Sequence, residues 1–127
     1  MVIAILKDGW FYPSITMSDI IREKWSVWTA FVRFEDNVGG KERPVIVFDD
    51  RVILCICMGV TSKEKDPIFG YKIRNWKYAG LVKESWVRFE YLKLEPDDFR
   101  DMIGMLHPDD IEGIKTWMKK LVYGHDL

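Results

Sequence analysis

Arg43 and Thr61 are the side chains in this sequence best suited to handling a phosphate. A guanidinium is planar, always charged, and presents a fork of donors that matches two phosphate oxygens. Arg43 stands beside Pro44, directly before the apolar run Val45–Phe48. Thr61 closes a second apolar run, Val52–Val60, and is followed by Ser62, Lys63 and Lys65. Two hydroxyls, backbone N–H groups and ammonium groups in succession could line an oxyanion site. If the two runs are neighbouring strands, an arginine at the start of one and a hydroxyl at the end of the other meet at one lip of a small barrel. Each residue also has a plain structural role open to it. Arg43 could pair with Glu42 or Glu35, and Thr61 could simply cap a strand.

Three carboxylates, Glu35, Asp36 and Glu42, lie in or beside the loop before Arg43. Any of them could accept the proton of a ribose 2′-hydroxyl, and the residues leave open which. His107 and His125 are the only histidines. A two-histidine mechanism is disfavoured, because His107 falls at an expected helix cap and His125 two residues from the chain end. Trp76 and Trp86 could stack on bases, although packing is the commoner role. Cys55 and Cys57 point to one side of a strand and have no metal-ligand partners at the usual spacings. They read as buried reduced thiols rather than a metal site. No Walker loop, dinucleotide fingerprint or metal-ligand spacing is present, so no cofactor or metal is expected.

The chain has 127 residues, 48% of them hydrophobic and six of them Trp, with a net charge of −1. That composition suits one globular domain over 1–127, and a near-neutral molecule is no general nucleic-acid magnet. The charge is unevenly spread, however. Lys63–Lys93 holds eight Lys or Arg against four acids, and Glu95–Glu112 holds seven acids against one Arg. A basic face beside an acidic end fits a protein that binds a polyanion with part of its surface. The apolar run Val2–Leu6 is too short for a signal core or a membrane span, which predicts a soluble, cytoplasmic protein with no membrane partner.

The elements that must position these groups follow from pattern. Trp28–Phe34 is aromatic and β-branched and predicts a strand. Glu35–Gly40 predicts a loop, and Pro44 marks the first residue of the next strand. Val45–Phe48 and Val52–Val60 are continuous apolar runs, hence strands buried on both faces, with Asp49-Asp50 as the turn between them. Phe69–Ile73 is a further strand, and Asn75–Leu81 an irregular connection around Gly80. Ser85–Leu94 alternates cleanly, with Trp86, Arg88, Glu90 and Leu92 on one side. Pro96-Asp97-Asp98 predicts a helix to about Leu106, and Pro108-Asp109-Asp110 another, carrying Ile111, Ile114, Met118 and Leu121 at helical spacing. Residues 1–17 form an N-terminal extension of uncertain structure. The sum is a mainly β fold, a strongly curved sheet or partly open barrel with C-terminal helices.

Several segments, taken in order, resemble the PemK/MazF-like toxins of type II toxin–antitoxin pairs. They are Phe34-Glu-Asp-Asn37 with Gly40-Lys-Glu-Arg-Pro-Val-Ile-Val-Phe48, then Gly59-Val-Thr-Ser62, Tyr71-Lys-Ile73, Trp76 to Arg88 around Ala79-Gly80-Leu81, and Phe99 to Leu106 around Ile103-Gly104. The resemblance covers roughly residues 18–121. It implies an SH3-like barrel of the PemK/CcdB type, usually a homodimer, and a cognate antitoxin that blocks the site. It also implies a metal-independent, sequence-selective endoribonuclease that cuts single-stranded RNA through the 2′-hydroxyl, leaving a cyclic phosphate and a 5′-hydroxyl. By the same resemblance Arg43 and Thr61 are the catalytic pair, with Ser62, Lys63 and Lys65 as RNA contacts. A second expectation is a binding module of the same barrel, either inactive or directed at a protein target as CcdB relatives are.

Overall fold

The computed structural model describes residues 22–35, 38–51 and 54–123. The N-terminal extension, Asp36 and His125 therefore lie outside the described residues. Six strands form in chain order: β1 (Ser26–Arg33), β2 (Gly40–Asp50), β3 (Cys55–Thr61), β4 (Gly70–Lys72), β5 (Trp86–Leu94) and β6 (Phe99–Met105). A single turn of 3₁₀ helix, Pro96–Asp98, precedes β6, and the helix α1 (Pro108–Tyr123) follows it. All strand pairs are antiparallel, in the order β4-β5-β3-β2-β1-β6.

The continuous apolar runs are explained by burial on both faces. Val27, Ile46, Met58, Val60 and Val87 pack with Leu81, Leu106 and Ile114 on one side. Trp28, Val45, Val47, Cys55, Cys57 and Phe99 pack together on the other. Successive residues of one strand thus enter different cores, as the two-residue strand period requires. Both cysteines are free and buried, with Sγ atoms 3.6 Å apart. The hydrogen bond with Cys55, together with burial, pushes the Cys57 thiol pKa well up.

The mainly β class with a C-terminal helix is as expected, but four local expectations change. The segment after Pro96 keeps helical form for one turn only, and Phe99–Met105 is a strand rather than a helix. It pairs with β1 through Ser26–Met105, Val27–Gly104, Trp28–Met102 and Ala30–Phe99, so the open edge of β1 outweighs local helical spacing. Asp49-Asp50 is not the turn between β2 and β3. Both belong to β2, and the Asp50 carboxylate is buried against Arg22 at 3.5 Å, their side chains 1% and 2% exposed. Arg22 in turn lies 4.0 Å over the Phe99 ring, so a charged pair is held inside aromatic packing. Pro44 is internal to β2, opposite Thr29, rather than its first residue. Gly40 likewise belongs to the strand, where a Cβ would sit 2.6 Å from the Val32 carbonyl oxygen.

Two glycine-containing segments meet face to face. Gly80, in the turn before β5, has φ +86°, and a Cβ there would lie 2.0 Å from the Ile103 carbonyl oxygen. Gly104 is the reciprocal contact, with a Cβ only 2.3 Å from the Ala79 carbonyl oxygen. The Ala79-Gly80-Leu81 turn is thereby seated directly on β6. The start of α1 is fixed from the same side of the sheet. Asp110, fully buried, accepts hydrogen bonds from the Tyr71 hydroxyl (2.8 Å), the Arg74 N–H (3.0 Å), the Asn75 N–H (2.9 Å) and Asn75 Nδ2 (3.3 Å). Burial works to raise the Asp110 pKa, but the Arg74 and Asn75 backbone donors and the Tyr71 hydroxyl outweigh it and hold the carboxyl below its ordinary value. His107 caps α1, its Nδ1 accepting the Asp109 N–H at 3.0 Å.

Candidate active site

Arg43 and Thr61 lie near the ends of neighbouring strands and line one cavity. Val45 pairs with Gly59, Ile46 with Met58 and Val47 with Cys57. Two further steps of that register would fall at Arg43 and Thr61, both on the wall of that cavity. The β2–β3 ladder nevertheless stops at Val45–Gly59, although β2 continues back to Gly40 and β3 forward to Thr61. Pro44 has no N–H to carry the ladder on, and the strands part there. The gap is a cavity of about 340 Å³ whose wall includes both Arg43 and Thr61.

Of the eight residues singled out from the sequence, six line this cavity: Arg43, Thr61, Ser62, Lys63, Lys65 and Glu42. Glu35 is exposed and does not line it. Lys41 and Arg88 complete its charged set, giving five cations against one carboxylate on the wall. Such a surplus, concentrated on a near-neutral molecule, is a local anion trap.

Arg43 is half-buried, and among the described residues it makes no ion pair; its Nε is buried without a hydrogen-bond partner. The structural role that would have explained it away is taken elsewhere. Glu42 lies 4.0 Å from Arg100, on β6, rather than on Arg43. A partly desolvated guanidinium without a counter-charge attracts anions more strongly than a surface one. The Thr61 hydroxyl accepts the Lys63 N–H at 3.1 Å, which leaves its own proton available to donate into the cavity.

Arg88 was not among the sequence candidates. It projects from β5, its Nε 3.2 Å from Glu90. The alternation of Ser85–Leu94 already places Arg88 and Glu90 on one side of their strand. The missing fact was that β5 lies beside β3, with Thr61 opposite Trp86. Trp86 is buried, and Trp76 is half-buried against the core that contains Ile73 and Leu81. His107 serves α1 and is no part of this cavity. A larger groove of about 740 Å³ runs along α1 past Tyr71, Arg74, Gly113 and Trp117. It also holds a guanidinium, Arg74, and a hydroxyl, Thr116, but only Arg74 and Lys120 stand there against Glu112, so the smaller cavity, with five cations against one carboxylate, is the better candidate for anion chemistry.

Fold and cavity together define a small antiparallel β domain with one cationic cleft at the parting of two central strands. No protein-family model matches the chain, and no curated protein matches it in sequence. Among solved structures it is similar to an endoribonuclease in complex with its cognate antitoxin, from mycobacterial species. The TM-score is 0.59 and the identity 12%, over 79% of this chain and 93% of that one. At that identity the likeness is one of fold. Among the described residues no helix is long and apolar enough to cross a membrane.

Proposed function

We propose that this chain is a cytoplasmic endoribonuclease, the toxin half of a type II toxin–antitoxin pair of the PemK/MazF kind, with the Arg43–Thr61 cavity as its active site. The observation that carries the reading is Arg43: a half-buried guanidinium without an ion-pair partner among the described residues, facing a hydroxyl within a cationic cleft. Fold likeness to an endoribonuclease solved with its antitoxin supports the activity and an antitoxin partner.

In this reading single-stranded RNA lies across the cavity, with Lys41, Ser62, Lys63 and Lys65 holding flanking phosphates. Arg43 binds the non-bridging oxygens of the reacting phosphate through its fork, and Thr61 donates its proton to the same group. Both interactions strengthen as the phosphorus becomes pentavalent and gains negative charge. Glu42, the carboxylate on the cavity wall, takes the proton of the 2′-hydroxyl as its oxygen attacks phosphorus. The bond to the 5′-oxygen breaks, and that oxygen takes a proton from water reaching the cleft. The products are a 2′,3′-cyclic phosphate and a 5′-hydroxyl. Glu90 positions Arg88, which stabilises charge on the departing oxygen. No step needs a metal, the chain acts as one domain, and a homodimer would join two such clefts into a longer basic groove.

The test is cleavage of a mixed-sequence RNA by the pure protein in a chelator, with the new ends mapped. Selective cuts leaving cyclic phosphates support the reading. An intact RNA, together with capture of a defined protein target, would instead favour the protein-directed binding module.

A further inference from the structure

The cavity that holds Arg43 is richer in charge than one phosphodiester requires. Lys41, Arg43, Lys63 and Lys65 all line it, and among the described residues none of the four makes an ion pair. Arg88, the fifth cation, is matched by Glu90 at 3.2 Å, and Glu42 lies 4.0 Å from Arg100. Four cations without a counter-charge therefore share a space of about 340 Å³. Unmatched cations in one small space repel each other, and the anion that relieves most of that repulsion is the one of highest charge density. An RNA strand does not supply it, because its singly charged phosphates are held apart by a whole ribose. A chain of three phosphoryl groups shares bridging oxygens and packs about four negative charges into a compact ion.

We infer that this cavity binds a free polyphosphate chain, either inorganic triphosphate or the triphosphate arm of a nucleotide, and that the bound chain excludes RNA from the cut site. The exclusion rests on the endoribonuclease reading of the cavity, whereas the binding does not. Arg43 gives the site more than diffuse charge. Its Nε is buried without a hydrogen-bond partner, and the guanidinium fork matches two oxygens of one phosphoryl group. The ammonium groups of Lys41, Lys63 and Lys65 take the remaining phosphoryl oxygens as point charges. Selection is by charge density, so orthophosphate, with fewer charges per ion, binds more weakly at the same ionic strength. Free polyphosphate thereby acts as a competitive brake on RNA cleavage.

The test is titration calorimetry of the full chain in a chelator at fixed ionic strength, with inorganic triphosphate, ATP and orthophosphate. Initial-rate RNA cleavage is then followed at rising triphosphate. One triphosphate per chain is expected, bound about tenfold or more tightly than orthophosphate, with ATP within about tenfold of triphosphate. The apparent KM for RNA should rise about tenfold at ten times the triphosphate Kd, with kcat unchanged. Arg43→Ala and the double variant Lys63→Gln with Lys65→Gln should each weaken triphosphate about tenfold, and melting curves confirm that both fold. Triphosphate bound no more tightly than orthophosphate is a general ionic effect only and overturns the assignment. So does an affinity that neither variant changes, or ATP binding without triphosphate binding. A fall in kcat with KM unchanged overturns the competition. RNA left intact by wild type overturns the endoribonuclease reading alone, because the calorimetry is done without RNA.

Discussion

Replacing Arg43 with Ala separates catalysis from folding because of how the residue sits. Its side chain makes no ion pair or hydrogen bond among the described residues, and its Nε is buried without a partner. Removing it costs the folded state only the packing of a half-buried stem, about 1 kcal/mol or less. The transition state loses far more. Two charge-assisted donors to the pentavalent phosphorane are worth roughly 1.5–3 kcal/mol each, although paired contacts do not add fully. A combined loss of about 3–4 kcal/mol lowers kcat roughly 10²–10³-fold. Arg43→Lys keeps the charge without the fork and should recover only part of that loss. The assay is initial-rate cleavage of a fluorogenic RNA in chelator, with kcat and KM measured separately and a melting curve for each variant. KM should move little, because the lysines of the cavity continue to hold the flanking phosphates. An Arg43→Ala protein that melts like wild type and keeps kcat within about threefold would refute the argument.

Thr61→Val preserves shape and removes the donating hydroxyl, so kcat should fall about 10–100-fold while Thr61→Ser stays near wild type, by the same assay. Asp110→Asn sets an amide among donors that need a carboxylate and should cost about 2–4 kcal/mol in urea unfolding at pH 7. Because the folded Asp110 pKa lies below its unfolded value of about 3.9, its contribution is present above that value and lost as pH falls through the folded one. The gap between wild type and Asp110→Asn should therefore narrow at pH 3, and a gap independent of pH would contradict the assignment. Gly80→Ala forces a Cβ onto the Ile103 carbonyl at a positive φ and should cost about 3 kcal/mol or more, read as a lower urea midpoint. Since Gly80 and Gly104 make one contact, the double variant should cost less than the two single changes added together.

Much of this architecture is legible in residue order because it depends on neighbours along the chain. The short, β-branched apolar runs Val45–Phe48 and Val52–Val60 read as strands buried on both faces rather than helix, and among the described residues they lie in β2 and β3 between the two cores. Pro108 with Asp109 and Asp110 marks the start of α1 because fixed φ and negative charge both suit a helix N-terminus. Arg43 and Thr61 are candidates by chemistry, singled out as a pair by the resemblance of their flanking segments, and the two residues line one cavity beyond the end of the β2–β3 ladder.

What residue order could not decide depends on partners distant along the chain. Phe99–Met105 has helical spacing, but a strand edge at β1, some 70 positions earlier, supplies hydrogen bonds that local propensity cannot match. Asp49-Asp50 has turn chemistry until Arg22 arrives to neutralise Asp50 inside the fold. Arg88 joins the cavity because β5 pairs with β3, and Glu42 leaves Arg43 unpaired because it lies toward Arg100. Residue types determined which groups could meet a phosphate. Only tertiary pairing decided which carboxylates are engaged elsewhere, and hence which guanidinium remains open to an anion, since charge neutralisation is set by distance in space.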